Sequence, residues 1–292
     1  MRTLVTGAYG QLGHELCAQL GADAIGIDCD TLDLCDGPAI LRTVAELRPE
    51  LVINCAAYTQ VDKAEADADR CRAVNAGAVE YLVQACRQAD CPLVQISTDY
   101  VFCGNPRRGR PHRESDEPAP QGVYAVTKWE GEQAAARYPR HLIVRSCGLY
   151  ARPSQRQAVN FVKTMLRLGA ARPELRIVAD QQCTPSYVPH LARAILFLSA
   201  AAGGPPAPWG VYHVVNRGAT TWYEFAAEIF RQAGMAVRLI PISTAEYGAA
   251  APRPAYSLLD IGKYQALGGP EMPAWQTGLA DYFAEWRTME GS

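Results

Sequence analysis

Directly after an apolar run, Arg2–Thr6, the chain reads Gly7-Ala8-Tyr9-Gly10-Gln11-Leu12-Gly13 and passes at once into Gln11–Leu20, whose apolar residues have helical spacing. A strand that must become a helix within so few residues needs backbone conformations and close approaches that glycine tolerates best. Glycines in the order GxxGxxG, rather than GxGxxG, supply a tight turn, open backbone N–H groups and near contact of helix and strand. The helix N-terminus adds partial positive charge where those N–H groups point, which suits the pyrophosphate of a dinucleotide. Glycines can also serve a turn that binds nothing. The strand before and the helix after select the binding reading.

That turn opens a regular alternation. Arg2–Thr6, Ala24–Asp28, Leu51–Ala56, Pro92–Ser97 and His141–Ser146 read as buried strands. Gln11–Leu20, Gly37–Leu47, Asp69–Gln88 and Tyr124–Arg137 lie between them with helical spacing. Such alternation implies right-handed crossovers and a parallel sheet covered on both faces. The expected fold class is α/β: a Rossmann-type doubly wound parallel sheet over residues 1–150, with a smaller C-terminal substrate-binding lobe made mainly of 151–292. In that second part Val159–Leu168, Pro189–Ala200 and Thr221–Gln232 read as helices, Arg176–Ala179 and Val211–Val215 as strands, and Ala200–Gly210 as a loop. Segments 176–184 and 211–235 are expected to return to the sheet domain. The lobe is expected over the carboxyl ends of the strands, where open α/β sheets bind ligands.

Charge narrows the partners. A net charge of −2 from 28 basic and 30 acidic side chains excludes broad attraction to nucleic acid or anionic lipid. The one basic run, Gly104–Pro118, has an acidic second half rich in Pro and Gly, and reads as a solvated loop. No apolar stretch approaches membrane-spanning length. The ten cysteines, including Cys17, Cys55, Cys71, Cys86 and Cys147, sit in apolar or helical patterns without a CxxC pair. With MRTLVTG entering a strand at once, free thiols in a reducing cytoplasm are expected. His14, His112, His141, His190 and His213 are scattered and none is assigned a catalytic role.

The second strand ends at Asp28, fifteen residues beyond Gly13. An acid near that distance accepts hydrogen bonds from the adenosine ribose. Asp30 follows, with no Arg or Lys until Arg42, so a ribose 2′-phosphate is disfavoured and NADH should serve at least as well as NADPH. Asp33 and Leu34 begin a passage that would flank the adenine. After the third strand, the small Ala56 and Ala57 and then Thr59 would let backbone approach ribose and phosphates. Asn75 is polar within an apolar helical face and reads as a buried hydrogen-bonding plug.

Tyr124 and Lys128 stand four residues apart in VYAVTKWEGEQ, and so project from one helix face. A lysine beside a phenol favours the phenolate and eases proton exchange. Thr98, ending the fourth strand, adds a hydroxyl facing the cleft. A hydroxyl–Tyr–Lys set suits hydride transfer between a nicotinamide and a secondary alcohol carbon: Tyr124 gives a proton to the carbonyl oxygen, Thr98 donates a hydrogen bond to it, and Lys128 holds the nicotinamide ribose. Tyr58 and Tyr100 lack a lysine at i+4.

With these segments in hand the chain resembles the extended short-chain dehydrogenases, and more closely the dTDP-4-dehydrorhamnose reductase family. The matching segments run in order through nearly the whole chain: TGAYGQLGHEL, INCAAYTQVDKAE, ISTDYVF, VYAVTKWEGE, NFVKTML, DQQCTPSYVPHLA, YHVVNRGATTWYEFA and PAWQTGLADYF. The resemblance implies reduction by NADPH or NADH of the 4-keto group of a dTDP-linked 6-deoxy-hexulose, giving dTDP-L-rhamnose in the prototype reaction. Carried over by position, Tyr124, Lys128 and Thr98 are catalytic. Gly7, Tyr9, Gly10, Gln11, Leu12, Gly13, Asp28, Asp33, Leu34, Ala56, Ala57, Thr59, Tyr124 and Lys128 hold the cofactor. Thr98, Asp99, Tyr124, Gly148 and Asn160 line the sugar nucleotide site. The implied assembly is a monomer or homodimer.

Two departures stand out. Gly148, in RSCGLYA, falls where rhamnose-forming relatives often place a tryptophan, and losing that surface widens the site. Some relatives hold magnesium through glutamates; Glu15 and Glu285 sit at matching positions, but Pro189 falls at the third, so no metal is expected. Alternative readings are a 4-ketoreductase for another nucleotide-deoxysugar isomer, a nucleotide-sugar epimerase or dehydratase with tightly held NAD, and a non-catalytic NAD(P)-binding regulatory subunit. Tyr100 follows Asp99 where dehydratases commonly carry a glutamate.

Overall fold

The computed structural model describes residues 1–105, 109–155, 159–204 and 207–290. The first part runs β1 (Thr3–Thr6), α1 (Gln11–Leu20), β2 (Ala24–Ile27), α2 (Gly37–Leu47), β3 (Leu51–Asn54), the short helices α3 (Val61–Ala64) and α4 (Ala68–Arg72), α5 (Ala78–Ala89), β4 (Leu93–Thr98), α6 (Val123–Ala136) and β5 (His141–Ser146). The second part runs β6 (Leu149–Tyr150), α7 (Phe161–Ala171), β7 (Glu174–Val178), β8 (Gln182–Cys183), β9 (Ser186–Tyr187), α8 (Val188–Ala201), β10 (Gly210–His213), β11 (Thr220–Thr221), α9 (Trp222–Ala233), β12 (Arg238–Ile242), α10 (Thr244–Tyr247), α11 (Gly262–Gln265) and α12 (Trp275–Glu290).

Six parallel strands form one sheet in the order β10-β5-β4-β3-β1-β2. The order reverses direction between β1 and β3, the switch at which doubly wound sheets open a crevice at their carboxyl ends. β1, β3 and β4 are buried along their whole length, as parallel strands covered on both faces must be. One face packs Leu12 and Leu16 of α1 with Leu191, Ile195 and Leu198 of α8. The other packs Ile40 and Val44 of α2 with Val79 and Leu82 of α5 and Ala134 and Ala135 of α6. The stretch expected as one helix over 69–88 is broken at 73–77 by a π-helical turn that contains Asn75.

The C-terminal lobe is pieced from short pairings: β7 with β12, β8 with β11, β6 with β9. Its core is aromatic, with Tyr150, Tyr187, Phe225, Tyr282 and Phe283 together. α9 starts where its sequence says it should. Thr221 accepts from the Glu224 backbone and Glu224 reaches back, a reciprocal cap contributing about 1 kcal/mol.

The two parts interleave, though not wholly as expected. Segment 210–213 joins the main sheet at its edge, but 174–178 does not rejoin it and pairs instead with 238–242, while α9 packs on α7. The β7 run alternates exposed and buried residues, a pattern for a sheet with one wet face, not for a doubly covered one. The basic run also needs correction. Residues 106–108 lie outside the described ones, as do 205 and 206 of the Ala200–Gly210 loop, but His112 is fully buried, stacked on Phe102 at 4.3 Å and 6°. Its backbone bridges to Leu259, so this loop is pinned to the sheet edge, not solvated throughout. No described helix is long and apolar enough to cross a membrane, and all ten cysteines are free thiols.

Candidate active site

The glycine turn sits at the carboxyl end of β1, pressed against the end of β3. Gly7 has φ +68°, and a Cβ there would lie 2.7 Å from the Ala56 nitrogen; a Cβ on Gly13 would lie 2.1 Å from the Gly7 carbonyl oxygen. Both positions therefore exclude side chains and hold turn, helix and strand end together. Gly10 caps α1 without a side-chain bond, and no acid occupies the first turn. The open N–H groups at that end suit a pyrophosphate. Asp28 closes one side: its Oδ2 accepts from the Tyr9 backbone N–H at 2.7 Å. The exposed Tyr9 phenol donates to Asp30 at 2.9 Å. Ala56 and Ala57 are partly exposed and Thr59 is exposed just beyond β3.

Four of the expected cofactor positions have other partners. Leu12 is buried in the α1–α8 core, and Leu34 in the core beside Ile40. Gln11 turns its Oε1 to the Ala151 N–H at 2.9 Å and the Asn160 amide at 3.2 Å, tying the glycine turn to the chain beyond β6. Asp33 accepts from the Cys35 N–H at 2.9 Å, shaping the turn before α2. Asn75 acts as the expected plug. Its oxygen accepts from the Tyr58 N–H at 2.9 Å and its amide donates to Thr127 at 3.1 Å, fixing the backbone after β3 against α6.

The chemistry converges where β4 ends beneath α6. Lys128 is 4% exposed and donates to the Ile96 carbonyl at 2.6 Å. Burial pulls its ammonium down to about 8, while the Glu132 carboxylate works the other way. Tyr124 is partly exposed and meets the Tyr100 ring edge-on at 5.2 Å. Burial raises its phenol, and the Thr98 hydroxyl, within hydrogen-bonding reach, opposes that rise. Thr98 also accepts from the Tyr100 N–H at 3.2 Å. The hydroxyl, phenol and ammonium expected from the sequence are thus brought together at one strand end, across from the glycine turn.

Beneath them lies a charge pair that the sequence reading did not single out. Arg145 and Glu132 are each 2% exposed, joined by bonds of 2.6, 2.9 and 3.1 Å, with Ser97 donating to the same carboxylate at 2.5 Å. The Phe102 and Trp129 rings flank the guanidinium at 5.1 and 5.8 Å. The available signal was spacing: Glu132 is one more turn along the face of Tyr124 and Lys128. Ser257 was missed too, since nothing local marks a serine in RPAYSLLD, yet it is buried against Asp99.

Asp99 is 4% exposed; Ser257 donates to its Oδ2 at 2.5 Å, and its Oδ1 lies 3.1 Å from Thr98 Oγ1. Gly148 has φ +58°, and a Cβ there would meet the Pro185 Cα at 3.1 Å and the Trp222 ring at 3.5 Å. Asn160 caps α7 by accepting from the Lys163 N–H at 3.0 Å. At the position weighed for a metal, the Arg152 guanidinium bridges Glu15, at 2.7 and 3.0 Å, and Glu285. An internal cation therefore neutralises both carboxylates.

The family model for the RmlD substrate binding domain matches residues 1–288. The dTDP-4-dehydrorhamnose reductase of Streptomyces griseus is 40% identical over 288 residues, covering 97% of this chain and 93% of that protein. A probable dTDP-4,6-dihydroxy-2-methyloxan-3-one 4-ketoreductase of Streptomyces antibioticus is 36% identical, covering 98% and 95%. The crystal structure of dTDP-4-dehydrorhamnose reductase from Bacillus anthracis in complex with NADP superposes with a TM-score of 0.90 at 39% identity, covering 97% of this chain and 99% of that one.

Proposed function

The chain belongs to the family of the RmlD substrate binding domain, and from that premise we propose that it reduces the 4-keto group of a dTDP-4-dehydro-6-deoxy-hexose, in the prototype case dTDP-4-dehydro-β-L-rhamnose to dTDP-L-rhamnose. The observation that carries this reading is the convergence of Thr98, Tyr124 and Lys128 at the end of β4, opposite a glycine turn that no side chain can fill.

The cofactor is NADPH or NADH. Gly7, Gly10 and Gly13 would receive its pyrophosphate and Asp28 its adenosine ribose. A reduced nicotinamide supplies the hydride. The protein's part is acid catalysis and orientation. As charge grows on the ketone oxygen, Tyr124 gives up its phenolic proton to it and Thr98 donates a hydrogen bond. Lys128, charged and buried beside the phenol, stabilises the phenolate left behind. Ile96, through its carbonyl, and Glu132, through its charge, keep that ammonium in place. The C-terminal lobe would hold the dTDP-sugar, with Asn160 on its side of the cleft and Gly148 and Asp99 on the sheet side, just beyond β5 and β4, in a monomer or a homodimer.

A 4-ketoreductase for a different hexulose isomer is favoured by one feature: Gly148 offers backbone where an aromatic ring would stack, and the Streptomyces antibioticus relative carries a different 4-ketoreductase name. Incubating the protein with NADH or NADPH and a panel of dTDP-4-keto-6-deoxysugars, then identifying the products, tests both. Cofactor consumption with dTDP-L-rhamnose formed supports the first reading, and a different 4-hydroxy epimer supports the second. No turnover with any ketone overturns both.

A further inference from the structure

Asp99 is an acidic side chain enclosed by the reacting groups, and the bonds around it limit its state. Thr98 has one hydroxyl hydrogen and two lone pairs. One lone pair takes the Tyr100 N–H at 3.2 Å. Asp99 Oδ1 stands 3.1 Å from the same oxygen. If Asp99 is ionised it has no hydrogen, so Thr98 must spend its own on the carboxylate and has none for a ketone. If Asp99 is a neutral acid, its Oδ1–H fills the second lone pair of Thr98, and the threonine hydrogen is released toward the phenol and the substrate. In either state Oδ2 accepts the Ser257 hydroxyl at 2.5 Å.

We propose that Asp99 is a positioning residue that acts through Thr98: braced by Ser257, it stays protonated and donates to Thr98 Oγ1, aiming the threonine hydrogen at the ketone oxygen. The enclosure supports the neutral form. Asp99 is 4% exposed and Ser257 likewise, and burial raises the carboxyl above its ordinary range, although Ser257, Thr98 and Cys147 offset part of that rise. The titratable groups around it, Cys147, Cys183, Cys103, Tyr100 and Tyr124, are thiols and phenols that burial keeps uncharged; the Arg253 charge is felt at Tyr100 and Cys103. Ser257 lies on the C-terminal segment that also pairs Arg253 with Asp62 at 2.6 Å, so the lobe that would hold the sugar also sets the threonine. The inference rests on the reductase reading for its consequence, but not for its test.

Two measurements decide it. Carbon NMR of protein labelled at aspartate carboxyls, with the Asp99 signal assigned by D99N, reads its protonation without any substrate. At the pH of the turnover assay, where an ordinary aspartate is ionised, a neutral acid is expected, and a carboxylate there overturns the proposal. In turnover with a reducible ketone, D99A should lower kcat about 10- to 100-fold with KM nearly unchanged, less than the 10²–10³ expected for losing a donor outright. D99N, whose amide N–H replaces the acid hydrogen, should recover most of that loss, and S257A should fall between. A D99N as poor as D99A, or a loss confined to KM, would show that Asp99 works as a charged sugar ligand and sink the proposal. A wild type that turns over no ketone counts against the reductase reading, and the NMR result still judges Asp99.

Discussion

Below the catalytic pair, the sheet half buries Glu132 and Arg145 at 2% exposure each, bonded to one another, with Ser97 donating to Glu132. The C-terminal lobe instead fills its centre with Tyr150, Tyr187, Phe225, Tyr282 and Phe283. The aromatic core derives its stability from apolar area, of which each ring contributes a large share. The ion pair does not: bringing two charges out of water costs about as much as their attraction returns. Its value is positional. Glu132 and Lys128 lie on one face of α6, and Arg145 and Ser97 anchor that face to the ends of β5 and β4. One half holds its shape by mass, the other holds a cation in register.

Breaking the pair should have a large effect on stability. Glu132→Gln alone leaves Arg145 buried and uncompensated, and urea unfolding should show a loss of about 3–5 kcal/mol. The double variant Glu132→Gln with Arg145→Met should regain most of it; a double variant no more stable than the single would mean that the two charges are not coupled. Phe225→Ala, in the aromatic core, should cost a comparable 3–5 kcal/mol with no rescuing partner. Its affinity for the dinucleotide should change little, because Phe225 lies in the lobe core and not at the glycine turn.

Lys128 gives a pH test in which stability and turnover move in opposite directions. Its ammonium is held down to about 8 in the folded chain, below the ordinary lysine value. Between those two values the unfolded chain keeps a proton that the folded one has released, so the lysine's contribution makes stability rise with pH across that window. Turnover should instead fall above about pH 8, by roughly tenfold per pH unit, as the charge beside Tyr124 is lost. Stability from denaturant midpoints and kcat across the window check both signs, and a flat rate profile would remove Lys128 from the reaction. The smallest effect is Thr221→Ala, which strips the α9 cap and should cost about 1 kcal/mol in the same unfolding assay.

What was legible in the sequence follows from how local each signal is. The glycine turn, the five leading strands and the Tyr124–Lys128 face each reside in a few neighbouring residues, and the structure sets the turn and that face against strands of one parallel sheet. Arg145 reads as one more residue of a strand until its partner, thirteen positions earlier, is seen across the helix face. Ser257 meets Asp99 from 158 positions away, which no periodicity signals. The same distance explains the misplacement of 176–184. A lone apolar run announces a strand but not its partner, and β12, the partner, lies beyond α9. Leu12 and Leu34 belong to the right turns, but their side chains face the core.

In the proposed reaction one phenol delivers the proton while its neighbours only prepare it. Tyr124→Phe removes a single oxygen and leaves Lys128, Thr98 and the glycine turn intact. Turnover of a dTDP-4-keto-6-deoxysugar should drop by about 10²–10⁴-fold, with NADPH or NADH binding, measured by fluorescence titration, close to that of the parent. Turnover that survives the substitution would contradict the account, because the proton would then come from elsewhere.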